Sequence, residues 1–347
     1  MLVCLGGVDS ATSAALLVEQ GYDVSGVFLE CWRAPGCRVD EDRKDAMDVA
    51  LQLGIPFKVL DFKKEYKDRV VEYFYSEYQE GRTPNPDTMC NKEIKFGMFY
   101  DWAMKEGFDF VATGHYARVD NGKLLAGVDK KKDQSYFLYL MKKEQLDHVL
   151  FPLGEMIKDE VREEAKKRKL IVADKPDSQG ICFIGPVDVR KFLEERITPK
   201  KGDVVNTKGE VVGSHDGVWF YTVGQRHGFT IDGKYKSKSG EWKHSIPPLY
   251  VIEKDVENNC LVVGFGAETL TSEFEVENIH WIEKPENGDL SVRIRHRGKW
   301  IGAKFKKISK DWKSLKVILD EPQRGVASGQ AAVFYLDEQV LGGGIIV

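Results

Sequence analysis

Two adjacent glycines close to the start of the chain, Gly6 and Gly7, constrain the fold more than any other feature of the sequence. Residues 2–5 before them have the apolar pattern of a buried strand, and residues 11–20 after them form a helix that is apolar on one face. A helix that begins near Ser10, after a strand and a glycine turn, creates an anion site, because the backbone can approach a phosphate and the free N–H groups and helix dipole hold it. We call residues 5–10 the Gly-Gly turn. An ordinary strand-to-helix turn is the alternative, since neither G-x-G-x-x-G nor G-x-x-x-x-G-K-S/T is present.

Strands and helices alternate regularly over the first part of the chain. Predicted strands cover residues 24–29, 57–61 and 108–113, and predicted helices cover residues 40–53, 65–78 and 91–105, with a charged, solvent-facing helix at 158–169. This alternation predicts an α/β fold with a parallel sheet and crossover helices on both faces. Ligands bind such sheets beyond the carboxyl ends of the strands, which places the Gly-Gly turn, Leu29 and Gly114-His115 around one crevice.

The pattern changes near Pro199, after which strands are short, glycines are frequent and helical periodicity disappears. Strands at residues 204–213, 219–223 and 249–254 predict a small middle domain. Six more predict a C-terminal antiparallel β-barrel, at residues 273–281, 290–294, 301–306, 315–319, 331–336 and 339–346. We therefore expect three domains, at residues 1–198, 199–266 and 267–347.

Composition restricts the class of protein. The chain of 347 residues is 42% hydrophobic and 31% charged, and it has no run of about 18 apolar residues that would predict a membrane span. Its six cysteines are too dispersed for a disulfide scaffold and form no zinc pattern, which indicates separate thiols in a reducing compartment. The early first strand leaves no room for a signal peptide, so we expect a cytoplasmic protein or an incomplete start. A net charge of −4 gives no global nucleic-acid signal but leaves local basic surfaces open.

Two cysteines stand in contexts that favour chemistry. Cys90 follows a rigid two-proline loop at residues 82–87, which we call the proline loop, and precedes a predicted helix. A thiol near a helix N-terminus with Lys92 nearby should have a lowered pKa and be more nucleophilic. Cys182 lies in a segment rich in glycine and polar residues. Either thiol could instead be structural, and Asp87, a candidate general acid or base, could be only a turn former or helix cap.

Other polar residues are candidates for contact with nucleic acid. His115, at a strand end, faces the predicted crevice, although a satisfied core histidine is the alternative. The run at residues 130–135 is basic and polar, and we expect it to be exposed. Alternation along a C-terminal strand would place Arg293, Arg295 and Arg297 on one face, as either a nucleic-acid surface or a solvated edge strand.

Six motifs taken together resemble one known family. They are Gly6-Gly7-Val8-Asp9-Ser10, Gly81-Arg82-Thr83-Pro84-Asn85-Pro86-Asp87 leading to Cys90-Asn91-Lys92, Thr113-Gly114-His115-Tyr116-Ala117-Arg118, Lys132-Asp133-Gln134-Ser135-Tyr136-Phe137-Leu138, Asp177-Ser178-Gln179-Gly180-Ile181-Cys182-Phe183-Ile184-Gly185 and Tyr221-Thr222-Val223-Gly224-Gln225-Arg226. In this order, over nearly the whole chain, they are similar to the tRNA-specific 2-thiouridylases. These are PP-loop ATP pyrophosphatases that replace O2 of the wobble uridine of tRNA by sulfur.

The resemblance implies an adenine nucleotide alpha-hydrolase-like first domain and the use of ATP with Mg²⁺. It implies that ATP is held by Cys4, Leu5, Gly6, Gly7, Val8, Asp9, Ser10, Leu29 and Gly114. The target base would lie against Asn85, Pro86 and Asp87. Contacts with tRNA would come from His115, Lys132, Asp133, Gln134, Arg295, His296 and Gln330. Three positions depart from the family pattern, because Leu5 replaces a serine, Leu29 a methionine and His296 a tyrosine.

The resemblance also implies a reaction sequence. The C2 carbonyl of the uridine is adenylated, and sulfur comes from a Cys182 persulfide that a donor protein charges. Cys90 then forms a disulfide with Cys182, which a reductant must reopen. Asp87 would shuttle protons. No dedicated protein cage for Mg²⁺ is visible in the sequence, and no membrane partner is expected.

Three other functions remain open from the residues. An ATP pyrophosphatase that amidates or ligates a small acid uses the same adenylate step without either thiol. A non-catalytic protein could bind tRNA in a salt-dependent way with a Gly-Gly turn that no longer supports ATP cleavage. The thiols could also hold an iron–sulfur cluster.

Overall fold

The computed structural model describes residues 1–33, 37–177, 180–185, 188–232, 248–285, 290–309 and 311–347. Ser178 and Gln179, from the motif around Cys182, lie outside the described residues. Over the ranges that are described, none of the helices combines the length and the apolarity needed to cross a bilayer.

A five-stranded parallel sheet forms the centre of the N-terminal part. Its strands lie in the order Phe57–Asp61, Ser25–Glu30, Leu2–Cys4, Val111–Ala112 and Val149–Leu150. The strand before the Gly-Gly turn is therefore central, with the carboxyl ends of two neighbours beside it. This confirms the predicted α/β fold. The last strand in this order was not predicted, and the strand predicted at 108–113 is only two residues long.

Helices cover both faces of this sheet. Alternate residues of the second strand divide between two apolar clusters. Phe28 packs with helices Val8–Glu19 and Val39–Leu53, whereas Val27 and Leu29 pack with aromatic helices on the other face. Those helices run through Lys63–Tyr66, Lys67–Val71 and Glu72–Gln79, and through Pro86–Cys90, Asn91–Phe99 and Tyr100–Lys105, where Lys67–Val71 and Asn91–Phe99 are π-helical. Further helices are Ser135–Leu138, Lys143–His148, Lys158–Lys167 and Val189–Glu194.

The C-terminal part is a closed antiparallel barrel. Its strands follow the order Leu270–Trp281, Leu315–Arg324, Ile301–Lys307, Leu290–Arg293, Ala331–Leu336 and Gln339–Ile346, and the last pairs with the first. A hairpin of the N-terminal part, Ala117–Asp120 and Lys123–Ala126, joins the same sheet beside Gln339–Ile346. The predicted barrel is confirmed, and it is tied to the α/β part by a shared sheet.

The middle part is a smaller sheet. Its strands lie in the order Thr230–Ile231, Val211–His215, Gly202–Asn206, Cys260–Gly264 and Tyr250–Asp255. The single strand predicted at 204–213 is wrong, because a turn at residues 207–210 divides it in two. The strand predicted at 219–223 is also wrong: Val218–Phe220 is a 3₁₀ turn. The side chains of Trp219 and Phe220 pack against the cluster of the aromatic helices, so this short apolar run is buried without pairing as a strand.

Candidate active site

The Gly-Gly turn ends the central strand and opens a helix. Helix Val8–Glu19 begins directly after Gly7, and the N–H groups of Gly6 and Gly7 donate to Ser10 Oγ at 2.9 and 3.0 Å. Two amide hydrogens thus converge at the positive end of a helix, which is the geometry of an anion site. Gly114 packs against this point, since a Cβ there would lie 2.8 Å from the Ser10 nitrogen.

The two leucines that replace family residues are both buried. Leu5 is 2% exposed and packs in the apolar cluster beneath the turn, and Leu29 is 1% exposed on the opposite face of the sheet. Leu5 Cδ1 fills the space beside Gly26, where a Cβ would lie only 2.6 Å away. Neither side chain is open to a ligand, so contact with ATP at these positions would be made by the backbone.

A charged network lies beside the turn. Lys158 Nζ contacts Asp9 Oδ1 at 2.6 Å and Asp177 Oδ1 at 2.7 Å, and Lys132 and Arg162 also contact Asp177, at 2.6 and 2.7 Å. Burial would raise the pKa of Asp177, but hydrogen bonds from Lys132 and Lys158 hold that pKa well below its usual value. The Tyr116 hydroxyl donates to Asp9 Oδ1 at 3.0 Å. Asp9 and Asp177 are therefore carboxylates whose charge is already compensated.

The expectation that helix Lys158–Lys167 is only a charged, solvent-facing helix is wrong for Lys158. Its side chain is 12% exposed, and it shares one helix face with the fully buried Val161 and Ala165. The i, i+3, i+7 spacing of these three residues was the sequence signal for an inward lysine. It was missed because so many charged residues surround it.

Cys90 and Cys182 meet beyond the carboxyl edge of the sheet. The Cys90 thiol donates to Cys182 Sγ over 3.4 Å, although 92 positions separate the two residues. Asp87 Oδ1 accepts from the Cys182 N–H at 2.9 Å, and the Tyr66 hydroxyl donates to the Cys182 carbonyl at 2.6 Å. A disulfide, with a bond of about 2 Å, needs only a small approach of these sulfurs.

The two thiols differ in ionisation. Hydrogen bonding from Cys90 lowers the pKa of Cys182 in spite of burial, and Lys95 lowers it further. Burial raises the pKa of Cys90 well above its usual value. The lowered pKa predicted for Cys90 is therefore wrong. The residue ends the five-residue helix Pro86–Cys90 instead of starting one, and Lys92 is turned to solvent. Of the two thiols, Cys182 is therefore the more easily ionised.

Other groups complete this buried cluster. Burial raises the pKa of Asp87 above its usual value, against the hydrogen bond from Cys182 and the charge of Lys95, which makes this carboxylate a better proton acceptor. Burial also raises the pKa of Cys4 to about 11 and that of Cys31 further, so both stay protonated. Where the chain is described, no three His, Cys, Asp or Glu side chains are grouped so as to hold a metal ion.

The proline loop is held from two other parts of the molecule. Thr83 N–H donates to the Ser328 carbonyl at 2.8 Å, and Gln330 Nε2 donates to the Thr83 carbonyl at 2.8 Å. The hydroxyls of Thr83 and Thr222 lie 3.1 Å apart. Asn85 Oδ1 caps the following helix by accepting from the Thr88 N–H at 3.3 Å. Barrel and middle sheet together fix the loop that carries Asp87.

Two residues expected to meet nucleic acid are buried. His115 is 7% exposed, its Nδ1 lies 2.7 Å from Thr113 Oγ1, and burial, with the charge of Lys95, holds its pKa well below the usual value. Asp133 is 2% exposed and forms an ion pair with Arg293. The expectations of a crevice-facing His115 and of an exposed run at 130–135 are thus wrong for these side chains. Their contact with tRNA stays a prediction.

The expected row of arginines on one strand face is also wrong. The strand ends at Arg293, whose side chain is 3% exposed, and Arg295, His296 and Arg297 follow in a turn. Arg295 is exposed, while the His296 ring centre lies 4.5 Å from that of Phe137. Burial, with nearby arginines, lowers the pKa of His296 to about 4. Of the other predicted tRNA residues, Gln134 accepts from the Tyr116 N–H at 3.0 Å.

The fold and the site define the class of protein: a parallel α/β domain joins a glycine turn with the geometry of an anion site to a pair of thiols in contact, and it continues into two β-domains. Family models match in that order, with the tRNA methyl transferase HUP domain at residues 1–186, the tRNA methyl transferase PRC-barrel domain at 190–265 and the aminomethyltransferase beta-barrel domain at 271–346.

Curated relatives identify the family. The tRNA-specific 2-thiouridylase MnmA of Enterococcus faecalis is 44% identical, covering 98% of this chain and 93% of its own, and that of Bacillus pumilus is 44% identical, covering 98% and 92%. The chain belongs to the tRNA-specific 2-thiouridylase family, a group of tRNA sulfurtransferases. Among solved structures, the U34-tRNA thiolase NcsA from Methanococcus maripaludis with its 4Fe-4S cluster is 19% identical, covering 56% of this chain and 62% of its own with a TM-score of 0.36.

Proposed function

We propose that this protein replaces O2 of the wobble uridine of tRNA by sulfur in an ATP-dependent reaction. Family membership supports the reaction type. The observation that carries the proposal is the 3.4 Å contact between the sulfurs of Cys90 and Cys182 near the Gly-Gly turn. An ATP pyrophosphatase that amidates a small acid has no use for two thiols in contact.

Adenylation would come first. Uridine O2 attacks the α-phosphorus of ATP, pyrophosphate leaves, and the former carbonyl oxygen becomes part of an AMP leaving group. The amides of Gly6 and Gly7 are suited to a phosphate, and Lys158 can exchange its contact with Asp9 for a phosphate oxygen. Mg²⁺ would be held chiefly by the phosphates of ATP, because this ion keeps several waters and uses few protein ligands.

Sulfur transfer would follow. A persulfide donor places a sulfur atom on Cys182, and the terminal sulfur of this persulfide attacks C2 as AMP leaves. The Cys90 thiolate then attacks the sulfur of Cys182, so that the sulfur–sulfur bond breaks, 2-thiouridine departs and a Cys90–Cys182 disulfide remains. Asp87 would take up the Cys90 proton, and a thiol reductant would reopen the disulfide. A disulfide that must be reduced to two thiols after each turnover suits a reducing compartment such as the cytoplasm.

The remaining site residues and the domain limits belong to the same proposal. Asn85, Pro86 and Asp87 would surround the base, and the exposed Arg295 is the most accessible predicted tRNA contact. Division at residues 1–198, 199–266 and 267–347 is supported by the start of the middle sheet at Gly202 and of the first barrel strand at Leu270.

The test uses the full chain, charged by a persulfide donor, with ATP, Mg²⁺ and unmodified tRNA. We expect pyrophosphate release and 2-thiouridine, measured by nucleoside mass spectrometry. Cys182→Ser should release pyrophosphate but make no 2-thiouridine, because adenylation does not need the thiol. Cys90→Ser should accumulate a covalent adduct in which Cys182 is joined through a sulfur–sulfur bond to C2 of the uridine, without releasing 2-thiouridine, because the Cys90 thiolate is needed to break that bond.

Cys260→Ser is the matched control, since this thiol lies in the middle sheet away from the site, and it should retain full activity. Product from Cys182→Ser would remove the persulfide role. Absence of 2-thiouridine from the folded, sulfur-charged protein would overturn the whole proposal. Binding of tRNA without pyrophosphate release would favour the non-catalytic alternative, and iron with visible absorption after anaerobic purification would favour a cluster.

A further inference from the structure

Lys95 is a half-buried cation that no motif singled out. It lies in the segment Asn91–Phe99, whose backbone is π-helical, five positions after Cys90. In an α-helix of 3.6 residues per turn, side chains five positions apart diverge by about 140°. The wider π turn, with its i to i+5 hydrogen bonds, brings them to nearly the same side. The π-helical backbone therefore places Lys95 near the side of the helix that carries Cys90.

Lys95 lies beside the segment that carries Cys182. Its Nζ lies 5.8 Å from the centre of the Phe183 ring, and Phe183 follows Cys182 directly in the chain. Burial would lower the pKa of Lys95, but the neighbouring Cys182 and Cys90 sulfurs raise it above the usual value, so the side chain stays an ammonium ion. The titratable groups that act on Lys95 or face the Cys182 segment from the packed elements are Cys4, Cys31, Tyr66, Asp87, Cys90 and His115.

We propose that Lys95 is the positioning cation that keeps the sulfur of Cys182 anionic, first as a thiolate that accepts sulfur from the donor and then as the persulfide anion that attacks the base. The proposal rests on the proposed function for the second of these roles only. Its first role concerns the resting protein.

The physical need for such a cation follows from burial. An anionic sulfur removed from water is strongly disfavoured unless a positive charge or hydrogen bonds compensate it. The Cys90 thiol supplies one hydrogen bond over 3.4 Å, but Asp87 is an acid whose negative charge opposes ionisation of Cys182. Lys95 supplies the positive charge, which lowers the pKa of Cys182. The same charge would remain next to the sulfur while the persulfide forms, since only Cys182 changes.

The test measures alkylation of Cys182 by iodoacetamide as a function of pH, in the reduced full chain without ATP, tRNA or sulfur donor. Peptide mass spectrometry reads the site. Lys95→Met should move the midpoint of the profile to higher pH by about 1–3 units, the usual effect of removing an opposite charge within contact range. Lys95→Arg, which keeps the charge, should have a midpoint close to that of the wild type. Lys95→Gln serves as a second neutral variant should Lys95→Met not fold.

Lys92→Met is the matched control, because Lys92 lies on the same segment but faces solvent, where screening is strong. It should leave the profile unchanged. Superimposed profiles of the wild type and a folded neutral variant of Lys95, or an equal shift in Lys92→Met, would overturn the inference.

A second readout separates this inference from the proposed function. With tRNA and a persulfide donor, Lys95→Met should release pyrophosphate at the wild-type rate but form 2-thiouridine at least tenfold more slowly at neutral pH. If even the wild type forms no 2-thiouridine, the proposed function fails, and the alkylation profiles still decide the role of Lys95 in the resting protein.

Discussion

Leu5 and Gly26 form a matched pair at the scale of single residues. The Leu5 side chain occupies the space that a side chain on Gly26 would need, and Gly26 does not have the positive φ that demands glycine. Leu5→Ser should therefore lower the free energy of unfolding by about 2–5 kcal/mol through a core cavity. Gly26→Ala alone should lower it by about 1–3 kcal/mol through overpacking. Denaturant unfolding measures both.

The double variant decides whether the two residues are coupled. With the smaller serine side chain at position 5, the methyl group that Gly26→Ala adds fills the vacated space. We therefore expect the double variant to be more stable than the sum of the single effects by about 0.5–3 kcal/mol. Strict additivity would show that Leu5 and Gly26 do not share this space. ATP affinity, measured on the same proteins, tells whether the added hydroxyl contributes to nucleotide binding separately from packing.

Gly97 lies inside the π-helical segment Asn91–Phe99. In an ordinary helix interior, replacing glycine by alanine stabilises by about 1 kcal/mol. Here a Cβ on Gly97 would lie 2.7 Å from the carbonyl oxygen of Lys92, five positions earlier, because the π turn brings that carbonyl close. Gly97→Ala should therefore destabilise the protein by about 1–3 kcal/mol, as read by thermal unfolding. It should also shift the alkylation profile of Cys182, since a change of register moves Lys95.

The control on the same segment is Lys92→Ala, an exposed substitution that should change stability by no more than about 0.5 kcal/mol. If Gly97→Ala is as stable as the wild type, the segment adopts ordinary α-helical register, and the placement of Lys95 loses its support.

Elements with a clear apolar pattern were predictable, and their irregularities were not. The strand at residues 57–61 and the barrel strands at 331–336 and 339–346 match prediction at both ends, and the two barrel strands are short runs buried over nearly their whole length. The helix predicted at 91–105 is also present, but nothing in its apolar pattern distinguishes π from α register. The pKa of Cys90 was mispredicted because it depends on two features that the sequence does not show. These are the end of helix Pro86–Cys90 at this residue and the burial of its thiol.

At the scale of the molecule, the sequence placed the right motifs in the right order but not their partners. Gln330 was predicted from the resemblance as a tRNA contact, yet it hydrogen-bonds the backbone of the proline loop, 247 positions away. Pairings of such separation have no local signal. Asp133 is a second example. Its position in a basic run predicts an exposed side chain, but it is buried because it pairs with Arg293 of the barrel, 160 positions away.

The buried ion pair between Asp133 and Arg293 joins the α/β part to the barrel. Asp133 also accepts hydrogen bonds from the Gly127 N–H at 2.9 Å and from Ser135 Oγ at 3.0 Å, so its charge is fully compensated. Asp133→Asn leaves the Arg293 cation buried beside a neutral group and should destabilise the protein by about 3–5 kcal/mol. Because a chain with several parts need not unfold in one step, calorimetry is the appropriate measurement.

An exposed link between the same two parts provides the control. Lys143 and Glu283 lie 2.9 Å apart, and their side chains are 54% and 35% exposed, so Glu283→Gln should lower the free energy of unfolding by about 0–1 kcal/mol. Replacing both members of the buried pair, in Asp133→Asn with Arg293→Met, should cost less than the two single changes together, since no unpaired charge remains. Equal costs for Asp133→Asn and Glu283→Gln would mean that the barrel is held by its shared sheet and by the proline loop, and that Asp133 remains available for the tRNA contact that the family pattern suggests.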